Sequence, residues 1–400
     1  MATLTFQNLD FKEEQDHIKV IFYRNFSFAV PKSDLNNIAD FKIKQNQIEF
    51  DCPEKRALRK FNQLISLNIK NLKNNITKNP AVYIHKNSGI PLIGSGYFGI
   101  IYRNNSTIEI KTQSSCNLNC IYCSISEGLQ SKQTDFIVEK DYLVEEFKKL
   151  LDFIKEPVEV HIGVQGEPLL YSDLLPLIKE LHQIKQVHTI SMDTNATLLT
   201  KSIVDQLSQY KKFRINISLN AMDQKIAERL AGTNYNLKHV LDIIKYAASK
   251  IKILIAPLLV PGYNDHELIK IIEFAKKNNI KTIGIQNFLN YKTGRNPVKA
   301  LDWEKFTDIL KKLEKQTKTK LIFDLKKDFD IKDTKKLAKP FKKDQVIKAT
   351  VVSKGRFPNS RLAVAENRNI TVFNCTEKTG RTIKIKILRD KHNIFLARKI

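Results

Sequence analysis

Between residues 105 and 325 the hydrophobic pattern of the chain alternates between two periods. The runs "TIEIKT", "VEVHIGV", "VHTISMDT", "FRINISLN", "KILIAPLLV" and "KTIGIQNFL" are short and rich in Ile, Val and Phe, and each predicts a strand. Between them lie "DYLVEEFKKLLDFIKE", "SDLLPLIKELHQIK", "TKSIVDQLSQY", "LKHVLDIIKYAAS" and "DHELIKIIEFAKKNN". Their apolar residues recur every three or four positions, which predicts amphipathic helices. Strands separated by helices imply right-handed βαβ units and a parallel sheet. Such units build an open sheet or a partial barrel, and either one forms its site from loops at the strands' C-terminal ends.

The flanks follow other patterns. Residues 1–104 mix strand-like runs such as "HIKVIFY" and "QIEFDC" with a helical pattern in "EKRALRKFNQLISLNIKNLKN", which predicts a small accessory α+β region. Residues 326–342 are lysine-rich and short of core residues, and read as a basic linker. In residues 343–400, "VIKATVV", "RLAVAE", "NITVFNC", "TIKIKILRD" and "NIFLARKI" are separated by turn residues, the pattern of a small antiparallel β-barrel. The expected fold class is α/β: a partial (β/α)6 TIM-like barrel between an α+β region and a C-terminal antiparallel barrel.

Composition narrows the setting. An apolar fraction of 42% supplies a sizeable core. The first residues, "MATLTFQNLDFKEEQDH", lack the pattern of a signal peptide, and no stretch approaches a membrane span, so a cytoplasmic protein with no membrane partner is expected. The net charge of +25 points either to a polyanionic partner, most often nucleic acid, or to a solvated lysine-rich surface. Five cysteines form no even framework, which argues against a disulfide scaffold.

Three of those cysteines fall in "SSCNLNCIYCSIS", just after the first core strand: Cys116, Cys120 and Cys123. Close thiolates suit zinc or an iron–sulfur cluster. A structural zinc site wants four ligands, and no fourth Cys or His lies nearby in "SISEGLQSKQTD". A ferredoxin-type cluster also takes four cysteines, so three leave one iron for a non-protein ligand. Burial as plain core cysteines is the structural alternative.

The loop resembles the cluster loop of radical S-adenosylmethionine (SAM) enzymes, with Tyr122 in the aromatic place before the last cysteine. The resemblance covers roughly residues 105–300 and implies a [4Fe–4S] cluster on the three cysteines. It further implies S-adenosylmethionine on the open iron, reductive cleavage to a 5′-deoxyadenosyl radical, and an electron donor such as ferredoxin or flavodoxin. "GVQGEPLLY" is similar to the family's GGEP segment, with Gln165 replacing the first glycine before Gly166 and Glu167; Gln165 and Glu167 are its candidates for the methionine amino group. "DTNATLLT" resembles the TNG segment, with Asn195 at the strand end and Ala196 in place of glycine. Ser218 and Asn220 in "NISLN" look like the ribose and carboxylate contacts, and Ile285 and Gln286 in "GIQNFLNY" the adenine contacts. Each of these segments also reads as an ordinary polar strand end or turn.

The last 58 positions, residues 343–400, resemble a TRAM domain, a small barrel found on enzymes that modify tRNA and ribosomal RNA. On that resemblance Lys348, Lys354, Arg356, Arg361, Lys384 and Lys386 are candidate phosphate contacts, and Phe357 and Phe373 either stack on bases or fill the barrel. The combination resembles RNA-modifying radical SAM proteins of archaea and bacteria. Methylthiotransferases carry three further N-terminal cysteines, whereas here only Cys52 stands in the first hundred residues, which argues against that reaction. Radical SAM RNA methyltransferases use two extra cysteines, and Cys52 and Cys375 are the two left over; both also read as buried, inert thiols, which the strand pattern "ITVFNCT" favours for Cys375. Cys375, Tyr291 and Arg295 are candidate catalytic residues, and Lys292 a candidate orienting one. The expected function is modification of RNA, tRNA above all. The same chemistry on a peptide or small molecule, or a non-enzymatic RNA-binding protein with a structural metal, stays open.

Overall fold

A computed structural model describes residues 1–163 and 165–400, with every side chain among them except that of Leu325. Its centre is a seven-stranded sheet in the order Thr282–Ile283, Lys252–Ile255, Phe213–Ile217, Val187–Thr194, Val158–Ile162, Thr107–Lys111, Gly99–Tyr102. The first six run parallel, as the pattern predicts. Gly99–Tyr102 is an unforeseen antiparallel addition at one edge. The expected strand 158–164 ends at Ile162, and Val164 lies outside the described residues. The fifth and sixth strands break early, and their continuations Leu258–Leu259 and Gln286–Asn287 pair in a separate ribbon.

Helices cover the outer face for the reason their periodicity gives. Lys140–Ile154 buries Leu143, Val144, Phe147, Leu150, Leu151 and Ile154 along one stripe. Leu237–Ala248 and Glu267–Lys277 do the same with Val240, Ile244, Ile271 and Ile272. The helix Trp303–Thr317 was missed in the pattern although Phe306, Leu310 and Leu313 mark its buried face and Asp302 caps it through Lys305 N.

Strand residues facing those helices are Ile, Val, Met and Phe. Those facing the barrel interior are Glu109, Glu159, His161, Asp193, Arg214 and Asn216; Glu109 pairs with Arg103, and the other five form one bonded network with Ser191. Arg214 donates to Glu159 (2.8 Å) and Asn216 (3.2 Å), Asn216 donates to Asp193 (2.9 Å), and His161 bridges Ser191 (2.7 Å) and Asp193 (3.1 Å).

Residues 1–104 build a three-stranded and a four-stranded sheet with the helix Glu54–Asn68, and their core is continuous with that of the large barrel. The C-terminal strands Val346–Lys354, Arg361–Ala365, Arg368–Phe373, Thr382–Arg389 and Leu396–Lys399 close into a barrel with a core of its own. It is not purely antiparallel: Arg368–Phe373 and Leu396–Lys399 pair in parallel, which gives the Greek-key connectivity of five-stranded barrels of the OB type. Residues 332–337, read from sequence as part of a linker, are docked along the edge strand. Tyr102 donates to Lys335 O (2.5 Å), Leu337 N to Asn104 (3.0 Å) and Ser106 N to Lys332 O (2.8 Å). Among the described residues, no helix is long and apolar enough to cross a membrane.

Candidate functional site

The loop after Thr107–Lys111 has no regular structure, so its backbone groups must find partners elsewhere. Asn119 N (2.9 Å) and Ile121 N (3.1 Å) donate to Ala231 O and Leu230 O, two end carbonyls of the helix Gln224–Ala231. Gly128, at φ +126°, lies so close to Leu118 O that a side chain there has no room. The fold thus holds the loop over the strands' C-terminal ends, above a cavity of about 340 Å³.

Cys116, Cys120 and Cys123 all line this cavity. Burial pushes the Cys116 thiol well above its ordinary value, and Cys120 and Glu167 add to the shift. Burial pushes Cys120 up to about 11, with Cys123 adding to it while the Tyr122 hydroxyl and Arg295 pull the other way. Ionising three such thiols together requires positive charge among them, which a bound metal group supplies. Among the described residues, no three His, Cys, Asp or Glu side chains are arranged to hold one metal ion. Three thiolates suit a cluster in which each takes a different iron and one iron is left for a non-protein ligand. Glu127 N donates to Cys123 Sγ (3.2 Å), the kind of bond that tunes cluster sulfur.

Around the thiols the cavity gathers most of the residues singled out in sequence: Tyr122, Gln165, Gly166, Glu167, Asn195, Ser218, Asn220, Gln286 and Tyr291. Several hold the site together. Glu167, 1% exposed, accepts from Leu169 N (3.0 Å), Thr194 Oγ1 (2.7 Å) and Asn195 N (2.9 Å). Burial pushes its carboxyl up to about 7 against the pull of those donors. Asn220 donates to Tyr122 Oη (2.5 Å) and accepts from Leu258 N (2.8 Å), joining the cysteine loop to two strand ends. Asn195 donates to Asn117 (3.0 Å). Gln165 accepts from Lys111 Nζ (3.0 Å), and burial pulls that lysine down to about 7. Gly166, at φ +76°, lets the segment pass against Ser114 and Ser115. Ser218 makes no side-chain hydrogen bond among the described residues, so its hydroxyl is available to a ligand.

Other expectations are corrected. Ile285 lines a second cavity instead, about 630 Å³ and open to solvent beside Trp303, bounded by the interior polar network, Phe306, Phe323 and Phe329. Cys375 is fully buried in the small barrel's core, because its strand-end position turns inward, and neither it nor Cys52 lines the cavity. A catalytic cysteine pair is therefore not present at this site. Arg295 sits beneath the cysteine loop, where it donates to Asn119 (2.6 Å) and to Glu127 O; Lys292 is exposed. Arg356 is not a surface phosphate contact: it is 1% exposed and donates to Glu127 Oε2 (2.6 Å) and Ile125 O (3.2 Å). Arg361 is held by the carbonyls of Ser360, Thr376 and Glu377. Phe357 and Phe373 pack on each other, and Phe357 on Tyr97, at the junction of the two barrels.

Residues missed in sequence include Tyr235 and Asn117. Tyr235 lines the cavity from the loop "AGTNYN", where no periodicity marks it. Asn117 lies inside the cysteine motif, between residues that drew the attention.

Comparison with known proteins agrees with this geometry. Residues 110–275 match the model of the radical SAM superfamily. An uncharacterised protein of Methanocaldococcus jannaschii is 41% identical over 368 residues, 84% of this chain and 84% of that protein. A GTP 3′,8-cyclase of Limosilactobacillus fermentum is 29% identical over 182 residues, 44% of this chain and 53% of the cyclase. The match thus spans about half the length of that cyclase. The solved structure of Streptococcus suis SuiB bound to S-adenosylmethionine overlaps 80% of this chain and 72% of its own, at 16% identity and a TM-score of 0.47. The chain belongs to the family of the archaeal protein, and its residues 110–275 form a radical SAM superfamily domain, whose members are enzymes that work with a [4Fe–4S] cluster and S-adenosylmethionine.

Proposed function

We propose that this radical SAM enzyme modifies RNA, tRNA first among its classes, and that its small barrel is a TRAM-like RNA-binding module. The observation that carries the reading is the register of that barrel. Exposed Lys348 stands directly opposite exposed Lys384, and Lys386 directly opposite exposed Arg398. Like charges facing each other across strands destabilise a sheet, so two such pairs side by side suit a polyanion that neutralises them. Asp344 pairs with Lys386 (2.9 Å), whereas Lys348 and Lys384 have no carboxylate partner among the described residues.

In this reading Cys116, Cys120 and Cys123 hold the cluster, and Gln165, Ser218 and Gln286 face S-adenosylmethionine. Glu167, Asn195 and Asn220 keep the strand ends and the cysteine loop in place around it, and Tyr291 stands at the mouth. When bound, the cluster and S-adenosylmethionine supply reductive cleavage and hydrogen abstraction. The protein's part is to orient the substrate and exclude water. An acidic one-electron donor, such as ferredoxin or flavodoxin, complements the +25 chain.

One observation favours a second reading. The second cavity of about 630 Å³, lined by Glu109, Glu159 and Asp193 together with Trp303, Phe306, Phe323 and Phe329, suits a small molecule as substrate. A single assay separates the two. The anaerobic protein, reconstituted with iron and sulfide and reduced with dithionite, is given S-adenosylmethionine with or without total tRNA. The RNA reading expects 5′-deoxyadenosine to rise several-fold with tRNA, and salt-sensitive tRNA binding. Cleavage that ignores tRNA, together with no tRNA binding, rejects it and leaves the small-molecule reading.

A further inference from the structure

The deepest contact between the two barrels ends on the cysteine loop. Arg356 lies in the turn after Val346–Lys354, yet its side chain is fully buried in the large barrel. It donates to Glu127 Oε2 (2.6 Å) and Ile125 O (3.2 Å), and its guanidinium lies over the Tyr97 ring at 5.0 Å. Its backbone carbonyl accepts from Thr134 N (2.8 Å), so main chain and side chain both grip the segment that follows the cysteines. Glu127 has an equally buried side chain and lines the thiol cavity. Its own N–H donates to Cys123 Sγ (3.2 Å), and its carbonyl accepts from Arg295.

We propose that Arg356 is a positioning residue for the cluster. Acting through Glu127, it fixes the N–H···S bond on Cys123 and balances a buried carboxylate beside the cluster, so the small barrel sets the cluster's reduction potential. The inference rests on the cluster and not on the RNA reading. Three features support it. A bare Glu127 carboxylate makes an added electron less welcome nearby, and charge is a known determinant of cluster potential. The pair is dry, so water does not screen it. Nε and Nη1 of Arg356 are buried without a partner, so the guanidinium is held through Nη2 alone, on Glu127 and the Ile125 carbonyl. A purely structural bridge between domains has no need of a charge under a thiolate. An apolar pair of similar size holds a domain junction equally well.

The test is redox titration of the reconstituted full-length protein, followed by electron paramagnetic resonance of the reduced cluster. Arg356→Met leaves Glu127 unbalanced. At a fixed donor potential its reduced-to-oxidised ratio is expected to fall about tenfold, a drop of about 59 mV for a one-electron couple. Glu127→Gln leaves the cation unbalanced and shifts the ratio the other way. The double variant returns toward the wild type, and Arg356→Lys recovers most of the wild-type value. If Arg356→Met loads no cluster, Glu127→Gln and Arg356→Lys still read the sign of the effect. Fully loaded variants with the wild-type potential and spectrum overturn the inference, as do shifts of the same sign in Arg356→Met and Glu127→Gln.

Discussion

The two barrels of this chain apply the same alternation of strand side chains with opposite results. The small closed barrel turns Val351, Ile370, Val372, Ile385, Ile387 and Phe395 inward, all fully buried, and carries its lysines outside. The large open barrel packs its apolar residues outward against helices and turns Glu109, Glu159, His161, Asp193, Arg214 and Asn216 inward. Closure explains the difference. A five-stranded ring is too narrow for anything but side chains, so its interior serves stability. The wider barrel has helices to bury its apolar face, which frees its interior and rim for chemistry. Stability and function are thus assigned to opposite sides of the strand in the two halves.

The largest expected effect is at the rim. Cys116→Ala, Cys120→Ala or Cys123→Ala removes cluster iron and abolishes 5′-deoxyadenosine formation, while Cys52→Ala leaves both intact; iron analysis and chromatography read the result. A normal cluster in Cys116→Ala breaks the assignment of the rim to chemistry. Next comes the small barrel's interior. Ile385→Ala is expected to cost about 2–5 kcal/mol of that barrel's stability, read by denaturant melts, with the cluster loop's iron content retained.

The third test inverts charge and core. Lys348→Ala with Lys384→Ala removes two outward cations that face each other. It is expected to weaken tRNA binding and to lower the slope of log affinity against log salt by about 1–2. Relief of the like-charge pair raises barrel stability by a few tenths of a kcal/mol. Loss of stability with unchanged binding overturns the view that the outside serves a partner.

The smallest effect lies inside the large barrel. Burial pulls His161 down, but Asp193, 3.1 Å from Nε2, outweighs it and the net shift is upward. A raised value in the folded state means that stability is present below the ordinary histidine range and fades as pH rises through the shifted value. His161→Gln should therefore lower the melting temperature more at pH 6 than at pH 8.5. An equal loss at both values breaks this reading of the interior network.

Much of this division was written in periodicity. Six strands, their helices and the small barrel announced themselves because each buries one face repeatedly, and the cysteine spacing announced the rim. What periodicity does not encode was missed. Gly99–Tyr102 joins the sheet through pairing that its short run does not advertise, and Tyr235 reaches the cavity from an irregular loop. Arg356 and Arg361 looked like surface cations because arginine is almost never fully buried unless paired. A docked neighbour turned the first into a buried ion pair, and local carbonyls claimed the second. Cys375 was a candidate only through the methyltransferase resemblance; its strand pattern already favoured the buried thiol that the barrel core holds.

The strap formed by residues 332–337 bears on how the chain tolerates being shortened. Gly99–Tyr102 pairs with a sheet strand on one side only; on its other side Ile100 N donates to Leu92 O (2.8 Å), and the strap holds the strand's end and the turn after it, through Tyr102, Asn104 and Ser106. A bare β-edge is a template for a foreign strand. A protein cut before the strap should leave the end of that strand and the backbone of residues 104–106 open to a foreign strand, so the tail covers part of an edge as well as carrying the second barrel.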